Sequence, residues 1–114
     1  MRALPLILLL ISSVAWADWK IGEQKIEIAQ CPNGSCLISK DCLEKSKPTC
    51  LALKASQNRQ KSDVGPGGTN PGSAVCRDYH KAGVVIAMND EGGTNAFCRF
   101  SDGSILSLDG LWHW

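Results

Sequence analysis

The chain has 114 residues, with 12 Lys plus Arg against 11 Asp plus Glu, 44% hydrophobic residues and six cysteines. A chain this short buries little core for each residue it must order. A charge balance this close to neutral lacks the positive footprint of a nucleic-acid binder or a polybasic membrane binder, so neither partner is expected.

The first 17 residues, MRALPLILLLISSVAWA, have a basic start at Arg2, an apolar run from Leu4 to Ile11, and small residues at Ala15 and Ala17. This is the pattern of a signal peptide. Ser12 and Ser13 interrupt the run well short of the about 20 apolar residues that a membrane anchor needs, so no stable membrane anchor is expected. Cleavage is placed between Ala17 and Asp18, and Asp18 supplies no thiol for lipid attachment. Loss of Arg2 takes Lys plus Arg from 12 to 11, equal to the 11 acidic residues, and the neutral mature chain is expected to be soluble and periplasmic or secreted.

All six cysteines, Cys31, Cys36, Cys42, Cys50, Cys76 and Cys98, follow the expected cut. An even count in a small exported chain points to three disulfides, and without a C-x-x-C neither a zinc ribbon nor a thioredoxin-like site is indicated. Residues 56–69, SQNRQKSDVGPGGT, are polar and rich in Gly and Pro, with Val64 their single large apolar residue. This composition marks a linker between a cysteine-rich region at 18–55 and a second domain at 70–114.

In the first region KIEIA (25–29) alternates charged and apolar residues, CPNGSC follows, and Leu37 and Ile38 resume the apolar pattern. An Asn-Gly turn between alternating segments predicts a β-hairpin, with Cys31 and Cys36 close enough to bond across it. Cys42 and Cys50 could close a second small loop around Pro48, but four cysteines allow three pairings and spacing does not choose among them.

The second region opens with NPGSAVCRDYHKAG, which predicts a short helix with Asn70 as N-cap, Pro71 at the first helical position and Gly83 as the stop. Val75, Tyr79 and Ala82 then share one apolar face beside Cys76. VVIAM (84–88), TNAFCRF (94–100) and SILSL (104–108) read as three strands separated by NDEGG and SDG. The expected fold is therefore α+β: one short helix on a three-stranded antiparallel meander, preceded by a cysteine-rich β-hairpin region. Strand alternation puts Ala96, Cys98 and Phe100 on one face, and if that face meets the helix, Cys98 meets Cys76.

The residues NPGSAVC, the paired Gly92 and Gly93, and FCRFSDGS resemble the small exported bacterial domain called domain of unknown function 333, which carries a haemolysin label. The matching positions are Asn70, Pro71, Gly72, Ser73, Cys76, Cys98, Phe100, Asp102, Gly103 and Ser104, within residues 70–114. Members of that family carry two further cysteines after Asp-Gly-Ser and near the C-terminus, where this chain has Ile105, Leu106 and a WHW ending. The resemblance implies an exported bacterial protein and no particular chemistry.

Candidates for chemistry are few. Cys76 and His80 stand four apart on the expected helix, the spacing of a Cys/His nucleophile pair, but an oxidised Cys76 offers no nucleophile. Zinc at the same two residues would need two more ligands. His80 and His113 are the two histidines, and no G-x-S-x-G elbow accompanies them. Asp90 and Glu91 are adjacent carboxylates in a loop, a pattern that is usually solvated. For binding, the ending LWHW presents Trp112 and Trp114, and the loops CPNGSC and CLEKSKPTC, if closed by disulfides, would be preorganised. The function expected is a non-enzymatic binding or inhibitory accessory protein of the cell envelope, with an unknown envelope protein or component as partner and no cofactor or metal. The alternatives are an exported toxin or haemolysin-like protein and a thiol-dependent enzyme.

Overall fold

The computed structural model describes residues 16–32, 34–44, 50–61 and 70–113. The expected signal peptide lies outside them as far as Ala15, and its last two residues, Trp16 and Ala17, open the first strand. Strands β1 (Trp16–Ile21), β2 (Gln24–Gln30) and β3 (Leu37–Ser39) are followed by helices α1 (Lys40–Glu44) and α2 (Leu51–Gln57) and the short strand β4 (Gln60–Lys61). Helix α3 (Pro71–Ala74) runs into a π-helical turn at Val75–Tyr79, and then come β5 (Gly83–Asn89), β6 (Thr94–Arg99) and β7 (Ile105–Ser107). A 3-10 turn at Leu108–Gly110 leads to β8 (Trp112–His113).

Six of these strands close a barrel in the order β1-β2-β3-β7-β6-β5, and β4 and β8 form a separate parallel pair. Every neighbouring pair in the barrel is antiparallel. This corrects the expected helix on a three-stranded meander. The meander exists as β5-β6-β7, but both of its edges are taken: Trp19 and Lys20 of β1 pair with Asn89 and Met88, and Ile38 of β3 pairs with Leu106. An open meander leaves two rows of unpaired main-chain groups, and closure removes them. The regions on either side of residues 56–69 thus contribute three strands each to one barrel. Residues 56 and 57 end α2, 60 and 61 form β4, and 62–69 lie outside the described residues.

Alternation sorts the strand residues into two cores. Inside the barrel, Ile28, Ala87, Phe97 and Ile105 pack with Trp19, Ile21, Ile26, Leu37 and Val85, and Trp19 meets Phe97 edge to face with centroids 5.7 Å apart. The second core lies on the other face of β3, β6 and β7, where Ile38, Cys98 and Leu106 meet Ala52 and Ala55 of α2, Cys76, Leu108 and Leu111. Period-2 geometry makes each of these strands a wall with one apolar core on each side.

The disulfides join Cys31 to Cys36, Cys42 to Cys50, and Cys76 to Cys98, and all six sulfurs belong to the second core. No described cysteine is free. Cys98 and Cys76 meet on the face shared with Phe100, as strand alternation suggested.

The helix after Asn70 differs from its expected form. Asn70 caps it, its Oδ1 accepting from the N–H groups of Gly72 at 2.7 Å and Ser73 at 3.2 Å. Beyond Ala74 the ladder widens: His80 N–H donates to Val75 O at 3.0 Å and Ala82 N–H to Cys76 O at 2.9 Å. The wider turn rotates later residues off the α-helical stripe, so Tyr79, expected on the buried face with Val75 and Ala82, is 60% exposed. The π-helical turn ends at Tyr79, Lys81 follows with φ 56, and Gly83, the expected stop, begins β5. Gly72 is needed where α3 crosses the 3-10 turn, because a Cβ there would lie 2.5 Å from the Leu108 carbonyl oxygen.

Candidate functional site

Strand β3 is only three residues long, and its last residue, Ser39, faces Ile28 of β2. The Ser39 hydroxyl accepts from Ile105 N–H at 2.7 Å, and the chain then leaves the sheet as α1. Below that point β2 continues from Glu27 to Gln24 paired with β1 but not with β3. An open groove of about 1150 Å³ lies there, between Gln24–Glu27 on one side and Arg99–Ser104 on the other, with the Cys42–Cys50 disulfide in its wall.

The wall formed by the turn after β6 is fixed by polar contacts. Phe100 N–H donates to Ser104 O at 2.9 Å and Gly103 N–H to Phe100 O at 2.9 Å. Asp102 Oδ1 accepts from Ser104 N–H at 3.0 Å and from the Ser104 hydroxyl at 2.5 Å. Asp102 Oδ2 accepts from Leu51 N–H at 3.0 Å, and Ser104 Oγ accepts from Ala52 N–H at 3.1 Å. Cys50, at the N-cap of α2, makes no side-chain capping bond, its sulfur being bonded to Cys42. Asp102 and Ser104 therefore cap α2 from 51 and 52 residues away in sequence and tie the Arg99–Ser104 wall of the groove to the helix that follows the Cys42–Cys50 disulfide. Burial raises the Asp102 pKa, but the hydrogen bonds from Leu51 and Ser104 together outweigh it and hold the carboxyl below its ordinary value.

Ser104→Ala should remove the bond to Ala52, whose N–H would stay buried, and lower stability by about 1–2 kcal/mol, with Asp102→Ala costing less at its exposed position. Chemical denaturation checks both. A double variant that loses no more than Ser104→Ala alone would show that Asp102 contributes nothing to the cap.

Charges line the groove unevenly. Arg99 lies on the same face of β6 as Phe97, and its Nη2 reaches Gln24 Oε1 at 3.4 Å, with exposed Lys25 next in sequence. At the other end, Asp41 follows the end of β3, and Lys40 Nζ stands 3.8 Å from Glu27 and 3.2 Å from Glu44.

Of the residues singled out in the sequence, Cys42 and Cys50 border this groove, while residues 45–49 of their loop lie outside the described residues. Cys31 and Cys36 close the β2–β3 turn, where Cys31 N–H donates to Cys36 O at 2.8 Å. Trp112 is half-buried in β8 opposite Gln60, away from the groove, and Trp114 lies outside the described residues. Asp90 and Glu91 sit in an exposed turn organised by Asn89, whose Oδ1 accepts from Glu91 N–H at 3.0 Å and Gly93 N–H at 2.8 Å. Gln24, Lys25 and Arg99, which also line the groove, belong to no binding motif in the sequence. The visible signal was Arg99, a lone cation on the strand face opposite Cys98.

Cys76 offers no thiolate to His80, because its sulfur is bonded to Cys98 and fully buried. His80 instead packs edge-on against Tyr79 at 4.8 Å and Phe100 at 5.2 Å, and its buried Nε2 has no hydrogen-bond partner among the described residues. Desolvation lowers its pKa from 6.5. The folded state thus favours neutral His80, and the stability this confers is complete above about pH 6.5 and is lost as the unfolded chain takes up the proton below that value. The thermal midpoint should fall between about pH 6.5 and pH 5, before carboxylates titrate, and His80→Phe should flatten that slope. An unchanged slope in the variant would show that the acid sensitivity arises elsewhere.

Among the described residues, no group of three or more His, Cys, Asp or Glu is placed to hold a metal ion, and no helix is long and apolar enough to cross a membrane. Fold and groove together define a small antiparallel barrel braced by three disulfides, with an open lane in its wall. No family model, curated protein or solved structure matches the chain.

Proposed function

We propose that this chain is an exported, non-enzymatic binding protein of the bacterial envelope, an accessory or inhibitor that holds its partner in the groove between β2 and the turn after β6. The groove carries the reading: it is open, has mixed polar and apolar walls, and is held in shape by the Cys42–Cys50 bond and by the Asp102 and Ser104 cap. A site held in shape before binding loses less conformational freedom when a partner arrives. Three disulfides fit an oxidising compartment, and the pattern of residues 1–17 and the resemblance at 70–114 favour bacterial export.

Photo-cross-linking in envelope extract tests the site. A photoreactive side chain at Lys25 or Ser101, both exposed on the groove, should capture a discrete partner, and one at Asp90, on an exposed turn that does not line the groove, should not. Capture from Asp90 alone, or equal labelling from all three positions, would place binding elsewhere.

A further inference from the structure

The groove holds two charges that the fold leaves without a counter-charge. Arg99 lies half-buried on the face of β6 that carries Phe97, and its hydrogen bond among the described residues is the 3.4 Å contact from Nη2 to Gln24 Oε1. That distance is at the outer limit of such bonds, and it occupies one donor of a planar fork made to hold two acceptor oxygens. The ion pairs among the described residues are those of Lys40 with Glu27 and Glu44, so no described carboxylate stands at ion-pair distance from Arg99. A charge drawn part-way out of water with so weak a partner is costly to the free protein, and an arriving anion would offset that cost.

At the other end of the groove, Asp41 is exposed in the first turn of α1 and has no cation at ion-pair distance among the described residues. Its neighbour Lys40 is engaged by Glu44 at 3.2 Å and by Glu27 at 3.8 Å.

The register of β2 sets the distance between the two charges. Ser39 is opposite Ile28, so the chain passes Glu27 at Lys40, and Asp41 follows as α1 turns away. Arg99 meets β2 three residues further along, at Gln24. Three strand residues span about 10 Å, which is the scale of the separation between the guanidinium and the carboxylate. Ile26 and the Cys42–Cys50 disulfide supply apolar wall between them.

We propose that the groove takes a short zwitterionic peptide of about three residues, with its C-terminal carboxylate on the Arg99 fork and its α-ammonium at Asp41. The inference rests on the groove being the binding site. An extended chain rises about 3.3 Å per residue, so a tripeptide with free ends carries its two charges at the separation the groove presents. Recognition lies in the two ends and requires no main-chain pairing with β2. A ligand with several negative charges would meet Glu27, Asp41 and Asp102 as well as Arg99, which disfavours a polyanion. Exposed Lys25, next to Gln24, adds positive charge at the carboxylate end.

Mixed tripeptides with free termini, added at millimolar concentration to the isotope-labelled protein, test this by NMR. They should shift the Arg99 Nε–H, the Gln24 side-chain amide and the Asp41 main-chain amide. C-terminal amidation should weaken binding about tenfold, and N-terminal acetylation by about as much, because each removes one charged contact. Arg99→Gln should bind free and amidated peptides equally, and Asp41→Asn should bind free and acetylated peptides equally. The blocked peptides probe the unaltered protein, so the result does not depend on either variant folding.

No response to free tripeptides, or equal binding of the amidated and acetylated forms, would overturn the proposal. A response to acetate or inorganic phosphate as strong as that to the peptides would show that Arg99 takes any small anion, and would overturn the zwitterion. The groove itself is judged separately by the cross-linking from Lys25 and Ser101. Capture there with no response to tripeptides would keep the groove as a site and remove this ligand.

Discussion

Cys98→Ser should leave the protein largely unfolded at growth temperature, with a far lower thermal midpoint and low abundance on expression. The bond from Cys98 to Cys76 spans 22 residues, and closing a loop of that size stabilises by about 3 kcal/mol in the chain-entropy model. Both residues are fully buried in the outer core, so the variant also leaves a hydroxyl and an orphaned thiol there, at about 1–3 kcal/mol. A domain this small lies near the lower end of the usual range of about 5–15 kcal/mol, so a combined loss of about 4–6 kcal/mol takes most of its margin. The bond also ties the π-helical turn to the C-terminal end of β6, opposite Val84 and Leu106, so its loss loosens the wall between the two cores. Cys76→Ala with Cys98→Ala should cost about as much as either single change, because both remove one shared bond. A Cys98→Ser protein with the wild-type midpoint and abundance would show that this cysteine holds nothing together.

What could be read from the sequence was local. The alternation of TNAFCRF and SILSL is enough to place β6 and β7, and Asn70-Pro71 is enough to start α3, because each signal acts within a few residues. The pairing of β1 with β5 joins Trp19 to Asn89, and WADWK carries no local mark of that partner; its first residues also read as the end of a signal peptide. The apolar stripe of Val75, Tyr79 and Ala82 assumed 3.6 residues per turn, and one π-helical turn was enough to put Tyr79 in solvent. SDGS was legible as a turn, but the task of its carboxylate was set by Cys50, whose side chain is engaged in a disulfide and so cannot cap α2. The groove was least legible of all, since it exists because β3 stops at Ser39 while β2 and the turn after β6 continue.

Cutting the chain between residues 62 and 69 should not separate its halves. Two disulfides, Cys31–Cys36 and Cys42–Cys50, close before that segment, and Cys76–Cys98 closes after it, so none crosses the cut. The halves are joined instead by the β1–β5 and β3–β7 ladders, the β4–β8 pair, and an outer core in which Ile38, Ala52 and Ala55 pack with Cys98, Leu106 and Leu111. Leu37 N–H also donates to Ser107 Oγ at 2.9 Å and Gln60 N–H to Leu111 O at 2.9 Å. With a specific protease site placed in this segment, the cut protein should elute as one particle with its far-UV circular dichroism unchanged. Its midpoint should become dependent on protein concentration, because unfolding now also dissociates two chains. Each half expressed alone should lack stable structure, since β5 and β7 would each lose a ladder partner and both cores would lose a wall. Mixing the two, each with its disulfides formed, should restore the barrel. If the halves part in native buffer and residues 70–114 alone keep a well-dispersed NMR spectrum, the second half folds independently of β1 and β3, and the closed barrel is not the cooperative unit.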